Sequence, residues 1–93
     1  MSKAQNKIIA KLDRLRQQLV DLKIDCYRRE SYKGVPHLVI NTEPFTMSIC
    51  WFAHRRLWKV FWPYPSNYQK QRYEKFTTEQ QVIDYIVEKK KSS

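Results

Sequence analysis

The chain has 93 residues, a formal net charge of +9 and a hydrophobic fraction of 42%. This length predicts one domain, and the hydrophobic fraction is too high for a disordered chain. The sequence lacks the run of about 18 apolar residues that a membrane-spanning helix needs, and it lacks the apolar segment of a signal peptide. We therefore expect a folded protein of the cytoplasm that does not enter a membrane.

The first element is an amphipathic helix, predicted over residues 3–23. The sequence SKAQ fits a capping box, in which Ser2 and Gln5 satisfy each other's backbone amides. Apolar side chains then recur at helical spacing, at Ile8, Leu12, Leu15, Leu19 and Leu22. Ile9 and Val20 widen this stripe, which favours a face that packs on a sheet. The alternative is a homodimer in which two copies of the helix form a short coiled coil.

Four segments with the character of β-strands follow. Residues 24–32 and 37–41 flank a Lys-Gly turn and therefore predict a hairpin. Residues 45–53 alternate most clearly between two faces, and a short cationic turn leads from them into a last strand at residues 57–62. Together these segments predict an antiparallel meander of three or four strands over residues 24–62.

Residues 63–76 are predicted to form a basic, aromatic loop. Pro63 and Pro65 cannot donate to a β-ladder and therefore end the preceding strand. The sequence YPSNYQKQRYEK then supplies three tyrosines, three cations and one carboxylate. Because loops of this length in small domains usually have a function, we expect this one to be functional.

The last element is a helix predicted over residues 77–91. Thr77 is the expected N-cap, with Gln80 three residues later. Its apolar stripe consists of Val82, Ile83, Ile86 and Val87. The predicted fold class is therefore α+β in the order α-β-β-β(β)-α, with both helices on one face of the sheet and the other face partly exposed to solvent.

Positive charge and aromatic rings are concentrated in two parts of the chain. Residues 1–24 carry a net charge of +4 and residues 51–78 carry +5, whereas the rest of the chain is balanced. Nine of the thirteen aromatic residues lie in residues 51–76. If the exposed side of the first helix and this aromatic segment share one side of the fold, they form one continuous basic surface.

Interleaved rings and cations can stack on bases while they attract phosphates. Trp51, Trp58 and Phe61 are expected in the core instead, because a small domain needs large side chains there. The predicted nucleic-acid-binding residues are Arg55, Arg56, Lys59, Tyr64, Tyr68, Lys70, Arg72, Tyr73 and Lys75. Ordinary surface cations and tyrosines that cover a thin core would give the same pattern.

The leading functional hypothesis is a small, non-catalytic nucleic-acid-binding or accessory protein, with affinity that comes from phosphate contacts. The helix-sheet-helix order is similar to that of double-stranded RNA-binding domains, but QRYEKFTTEQQ replaces the Gly-rich, Lys-Lys-bearing segment typical of that family. The order of elements alone does not give a function. The alternative is a protein interaction module or inhibitor, of the small mobile-element type, that docks on an acidic or nucleic-acid-binding partner, because Tyr, Trp and Arg also dominate protein interfaces.

An enzyme, a metal protein or a cofactor-binding protein is not expected. The chain has a single Gly, so it contains no Gly-rich phosphate-binding loop, and its carboxylates lack the spacing of a metal nuclease. Cys50 and His54 form a pair without a third supporting group. Cys26, His37, Cys50 and His54 match no zinc-binding pattern, and both cysteines are expected to be buried thiols.

Overall fold

The computed structural model describes residues 3–30, 34–41, 46–62 and 72–91, with side chains from residue 6 onward. In chain order, the elements are α1 (Lys3–Asp21), β1 (Cys26–Glu30), β2 (Pro36–Ile40), β3 (Met47–Phe52), β4 (Leu57–Trp62), β5 (Arg72–Phe76) and α2 (Glu79–Lys91). The five strands form one antiparallel sheet in the order β1-β2-β3-β4-β5, so each strand pairs with its neighbours in the sequence. This arrangement confirms the predicted α+β class.

The apolar stripe of α1 packs on the first three strands of the sheet. Leu12, Leu15 and Leu19 are fully buried. Each buried leucine contributes roughly 1.5–3 kcal/mol relative to an exposed one. These leucines form a packing face inside the monomer, whereas Val20 and Leu22 of the predicted stripe are exposed.

Helix α1 ends at Asp21, two residues earlier than predicted. Lys23 has a left-handed backbone with a φ angle of 66°. Its amide donates to the Val20 carbonyl oxygen at 2.9 Å, and the Ile24 amide donates to the Leu19 carbonyl oxygen at 3.0 Å. These two hydrogen bonds form a Schellman motif, which satisfies carbonyl groups that the end of a helix would otherwise leave unpaired.

Helix α2 packs on β4 and β5. Its buried side chains are Val82, Ile83 and Ile86. The N-cap is Thr78 and not Thr77, because the Thr78 hydroxyl accepts the Gln81 amide at 3.1 Å. In return, the Gln81 side chain accepts the Thr78 amide at 3.3 Å. The capping box is one residue later than predicted, since the sequence TTEQQ fits either position.

Both helices lie on the same face of the sheet, as predicted. Asp13 of α1 forms an ion pair with Arg28 of β1 at 3.3 Å, and the ring of Tyr85 in α2 lies 5.1 Å from that of Phe76 in β5. The core between the layers includes Leu12, Leu15, Leu19, Leu38, Ile40, Met47, Ile49, Trp58, Val60, Val82 and Ile86. Neither helix, in the part of the chain that is described, is long and apolar enough to cross a lipid bilayer.

The fifth strand corrects the prediction of three or four strands and of a loop through residues 63–76. β5 pairs with β4 along its whole length, with Phe76 opposite Trp58 and Tyr73 opposite Phe61. Four of its five side chains are exposed, and its sequence, RYEKF, lacks the alternation of apolar and polar residues by which strands are recognised. Charged side chains are common on edge strands, because they discourage pairing with a second chain. The predicted Ser2 cap and residues 63–71 lie outside the described residues.

Candidate functional site

The sheet face turned away from the helices, which we call the open face, carries no carboxylate on its strands. Strand alternation and register place twelve side chains there: Tyr27, Arg29, His37, Val39, Ser48, Cys50, Phe52, Leu57, Lys59, Phe61, Tyr73 and Lys75. Four of these are aromatic and three are Lys or Arg. The strand carboxylates Glu30 and Glu74 fall on the helix side by the same alternation. The open face therefore combines aromatic and basic character.

The partly buried Lys59 is at the centre of a group that we call the open-face cluster, which also contains the exposed residues Phe52, Tyr73 and Lys75. The Lys59 Nζ atom lies 4.7 Å from the centroid of the Phe52 ring and 4.9 Å from that of the Tyr73 ring. Both distances fall within the range of a cation–π contact. The exposed fractions are 37% for Phe52 and 48% for Tyr73. Two solvent-accessible rings and an ammonium group are thus presented together.

The position of the Tyr73 ring is supported from neighbouring residues. The half-buried Phe61 lies opposite Tyr73 in the register, and the two ring centroids are 5.8 Å apart. The Lys75 Nζ atom lies 5.8 Å from the Tyr73 ring. These contacts hold an aromatic ring in place on an edge strand, where a side chain otherwise has few neighbours.

The middle of the open face is less accessible. Val39, Ser48 and His37 are all buried, although the helices pack on the opposite face. The accessible rings and cations of this face therefore lie toward its two edges: Tyr27 and Arg29 are exposed on β1, and the open-face cluster lies toward β4, β5 and the end of β3.

A second basic surface, which we call the helix-side groove, lies between α1 and the turn that joins β3 to β4. It has a volume of about 770 Å³ and is lined by Lys7, Ile8, Ala10, Lys11, Arg14, Trp51, Ala53, Arg56 and Thr77. Four of the lining residues are cations and none is a carboxylate. The Lys11 Nζ atom lies 4.3 Å from the centroid of the Trp51 ring.

The open-face cluster and the helix-side groove meet at one end of the sheet. Trp51 and Phe52 are consecutive residues of β3, so their side chains point to opposite faces, the first toward the groove and the second into the cluster. In the adjoining turn, the Arg55 amide donates to the Phe52 carbonyl oxygen and the Arg56 amide donates to the Ala53 carbonyl oxygen, both at 3.3 Å. The side chain of Arg55 is exposed on this turn, between the two surfaces.

The ion pairs among the described residues leave most of this positive charge uncompensated. Asp13 and Glu30 both pair with Arg28, away from either surface. Glu79 pairs with Arg14 at 3.4 Å and so neutralises one cation of the helix-side groove. Within the described part of the chain, the other cations of the groove and the two lysines of the open-face cluster form no ion pair.

The predicted binding residues that the structure describes do not all lie on one surface. Lys59, Tyr73 and Lys75 come together in the open-face cluster, whereas Arg56 lines the helix-side groove. Arg55 lies on the turn between them. The two surfaces adjoin at this turn, and because residues 63–71 lie outside the described residues, one continuous basic surface stays a prediction.

Arg72 lies apart from both surfaces. It is opposite Trp62, on the helix side of the sheet and at the end of β4 remote from the turn. At about 3.3 Å per residue, the length of β4 separates it from the turn by roughly 16 Å. Tyr64, Tyr68 and Lys70 lie outside the described residues, and their binding role stays a prediction.

Phe52 and three cations of α1 are site residues that the sequence analysis did not select. Lys7, Lys11 and Arg14 are spaced by four and three residues, which places them on one side of a helix. That signal was present in the sequence, but a basic helix face is also common on ordinary surfaces. Only the packing of α1 beside Arg56 distinguishes a candidate binding site from an ordinary basic helix surface.

The cysteines are thiols of low reactivity at neutral pH. Burial raises the pKa of Cys50 to about 11, although nearby Lys59 lowers it. Cys26 lies on the helix side, where its thiol donates to the Arg16 carbonyl oxygen at 3.8 Å and burial also raises its pKa. Protonated thiols are poor nucleophiles. Among the residues described, no three His, Cys, Asp or Glu side chains are placed to hold a metal ion.

Comparison with known proteins gives no relative, since no protein-family model, no curated protein and no solved structure matches the chain. Function must therefore be inferred from the open-face cluster and the helix-side groove themselves.

Proposed function

We propose that this chain is a non-catalytic nucleic-acid-binding or accessory protein that contacts unpaired bases and phosphates through the open face of its sheet. The observation that supports this proposal is the position of Lys59 between two exposed rings, on a face whose strands carry no carboxylate. Phe52 and Tyr73 offer ring surface to bases, and Lys59 and Lys75 offer charge to phosphates.

The open-face cluster suits a strand with unpaired bases better than a regular duplex. Aromatic side chains stack only on bases whose faces are accessible, and a duplex encloses those faces. Each helix packs most of its apolar stripe against the sheet, and the described part of neither helix carries a groove-reading motif. Sequence preference is therefore expected to be weak, with affinity that comes from stacking and phosphate contacts.

The expected energies are large enough to measure. Each base stacked on an aromatic side chain contributes about 1–3 kcal/mol. Each phosphate contact with a single strand contributes about 0.7 to the slope of log affinity against log salt concentration. Loss of Phe52 and Tyr73 is therefore expected to weaken binding at least about tenfold, and loss of Lys59 and Lys75 to reduce the salt slope by about 1.4.

Fluorescence anisotropy of labelled single-stranded and duplex DNA and RNA, at about 50 and 200 mM salt, tests the proposal. The variants are Phe52→Ala with Tyr73→Ala, and Lys59→Glu with Lys75→Glu. The matched control is Arg16→Glu with Lys91→Glu, which changes the net charge by the same amount at two exposed residues outside the open-face cluster and the helix-side groove.

We expect wild-type protein and the control to bind single strands more tightly than duplex, and both cluster variants to bind weakly. Thermal melts should show that each variant is folded, because Phe52, Tyr73 and Lys75 are exposed and Lys59 is only partly buried. Absence of oligonucleotide binding by the wild-type protein at low salt would refute the proposal. Equal weakening by the control would show that net charge, and not the cluster, determines binding.

A second candidate is an interaction module for an acidic protein. Leu22 and Val20 are exposed by 51% and 40%, and Leu22 lines a small apolar depression together with Val87 and Lys90. Apolar side chains next to lysines would suit a partner surface with an apolar centre and an acidic rim. A partner captured by the wild-type protein but not by Leu22→Asp would favour this function, provided that no oligonucleotide binds.

A further inference from the structure

The helix-side groove concentrates positive charge from two distant parts of the chain. Lys7 and Lys11 come from α1, and Arg56 comes from the β3–β4 turn. In the described part of the chain these three cations form no ion pair, whereas Arg14 is paired with Glu79. Like charges that converge in a concave site repel one another, and an anion in the groove would relieve that repulsion.

The chemistry of the groove suits phosphates and not bases. Trp51 is the only aromatic residue among those that line it. Its ring lies 4.9 Å from that of Trp58 and 4.3 Å from the Lys11 ammonium, and it is only partly exposed. The groove therefore presents N–H donors and charge, but little ring surface on which a base could stack. This distinguishes it from the open-face cluster.

A strand bound to the open face can continue into the groove over the β3–β4 turn. Phe52 ends β3 on the open face, and Ala53 and Arg56, within four residues, line the groove on the other side. The exposed Arg55 lies between them and adds a further cation along this path.

We propose that the helix-side groove is a second binding site, which holds the phosphodiester backbone of the strand whose bases contact the open-face cluster. This inference rests on the proposed function and adds that the footprint extends around the end of the sheet. Lys7, Lys11 and Arg56 bind phosphates of the strand, and the groove recognises no base.

A length series separates the two sites. Oligothymidylates of about 4 to 16 nucleotides cover the range of footprints that small single-strand-binding domains show. The wild-type protein is expected to gain at least about tenfold in affinity once the strand is long enough to enter the groove. Lys7→Glu with Lys11→Glu should bind the shortest oligonucleotides as the wild type does and lose that gain. The pair Arg16→Glu and Lys91→Glu should retain it.

A second variant guards against damage to the fold, because Lys11 contacts Trp51. Lys7→Gln with Arg56→Asn leaves Lys11 in place, and Asn tolerates the left-handed backbone of Arg56, whose φ angle is 50°. The third measurement is the affinity of the wild-type protein for long oligonucleotides that carry a chemically modified segment, placed at one end and then at the other. Abasic nucleotides, which keep the phosphates, should preserve the gain, and neutral methylphosphonates at the groove end should remove it.

Each outcome has a defined meaning. If the wild type binds short oligonucleotides but gains no affinity for longer ones, the groove site is wrong and the proposed function stands. The same holds if both groove variants gain as much affinity with length as the wild type does. A gain that abasic nucleotides remove would also overturn the groove site, since the groove would then recognise bases. Absence of binding at every length would reject the proposed function, and the groove site with it.

Discussion

Replacement of Lys23 by Gly is expected to raise the free energy of unfolding by about 1 kcal/mol. Lys23 follows α1 with a φ angle of 66°. In this conformation the Cβ atom of an L-residue crowds the carbonyl oxygen, at a cost of roughly 1–2 kcal/mol that Gly avoids. The greater freedom of Gly in the unfolded chain offsets part of the gain. For a domain of this size, about 1 kcal/mol corresponds to a rise of about 4–8 °C in melting temperature.

The matched control is Lys23→Ala, which removes the same charge but keeps the Cβ atom. Both substitutions retain the Lys23 carbonyl oxygen, which accepts a hydrogen bond from Lys90 Nζ at 2.8 Å. Urea unfolding followed by tryptophan fluorescence measures both free energies. The alanine variant is expected to stay within about 0.5 kcal/mol of the wild type. A glycine variant no more stable than the alanine variant would refute the left-handed assignment at this position.

Two further predictions concern the second helix and the cysteines. Thr78→Ala is expected to lower the free energy of unfolding by about 1 kcal/mol, and Thr77→Ala by less, because the Thr78 hydroxyl accepts an amide of α2 whereas that of Thr77 contacts only the Gln81 side chain. Thermal melts measure both variants, and a melting temperature lower for Thr77→Ala than for Thr78→Ala would contradict the cap assignment. In a Cys26→Ser background, Cys50 is expected to react with iodoacetamide at pH 8 at least about tenfold more slowly than an ordinary cysteine, since burial raises its pKa to about 11 and leaves less of the reactive thiolate. Mass spectrometry follows the alkylation, and a rate equal to that of a free thiol would show that Cys50 is not shielded.

The sequence by itself determined the fold class and most element types. Residues 8–22 repeat at helical spacing and residues 45–53 alternate at strand spacing, and both periods are local properties of the chain. It also located the charge, in residues 1–24 and 51–78. These features were predictable because each element must present an apolar face to a shared core.

Local ambiguity explains where the prediction was wrong. β5 has a polar sequence because it is an edge strand, and pairing with β4, a contact between segments distant in the chain, is what makes it a strand. The cap of α2 was misplaced by one residue because TTEQQ fits two registers. The helix stripe continues to Leu22, although a left-handed Lys23 ends α1 at Asp21.

Only the tertiary structure decided how the candidate site is assembled. Lys59 lies between Phe52 and Tyr73 because strand register aligns residues of three strands. Lys7 and Lys11 meet Arg56 because α1 packs in one direction across the sheet. Both arrangements depend on contacts between residues far apart in the chain, which the buried core fixes and local periodicity does not encode.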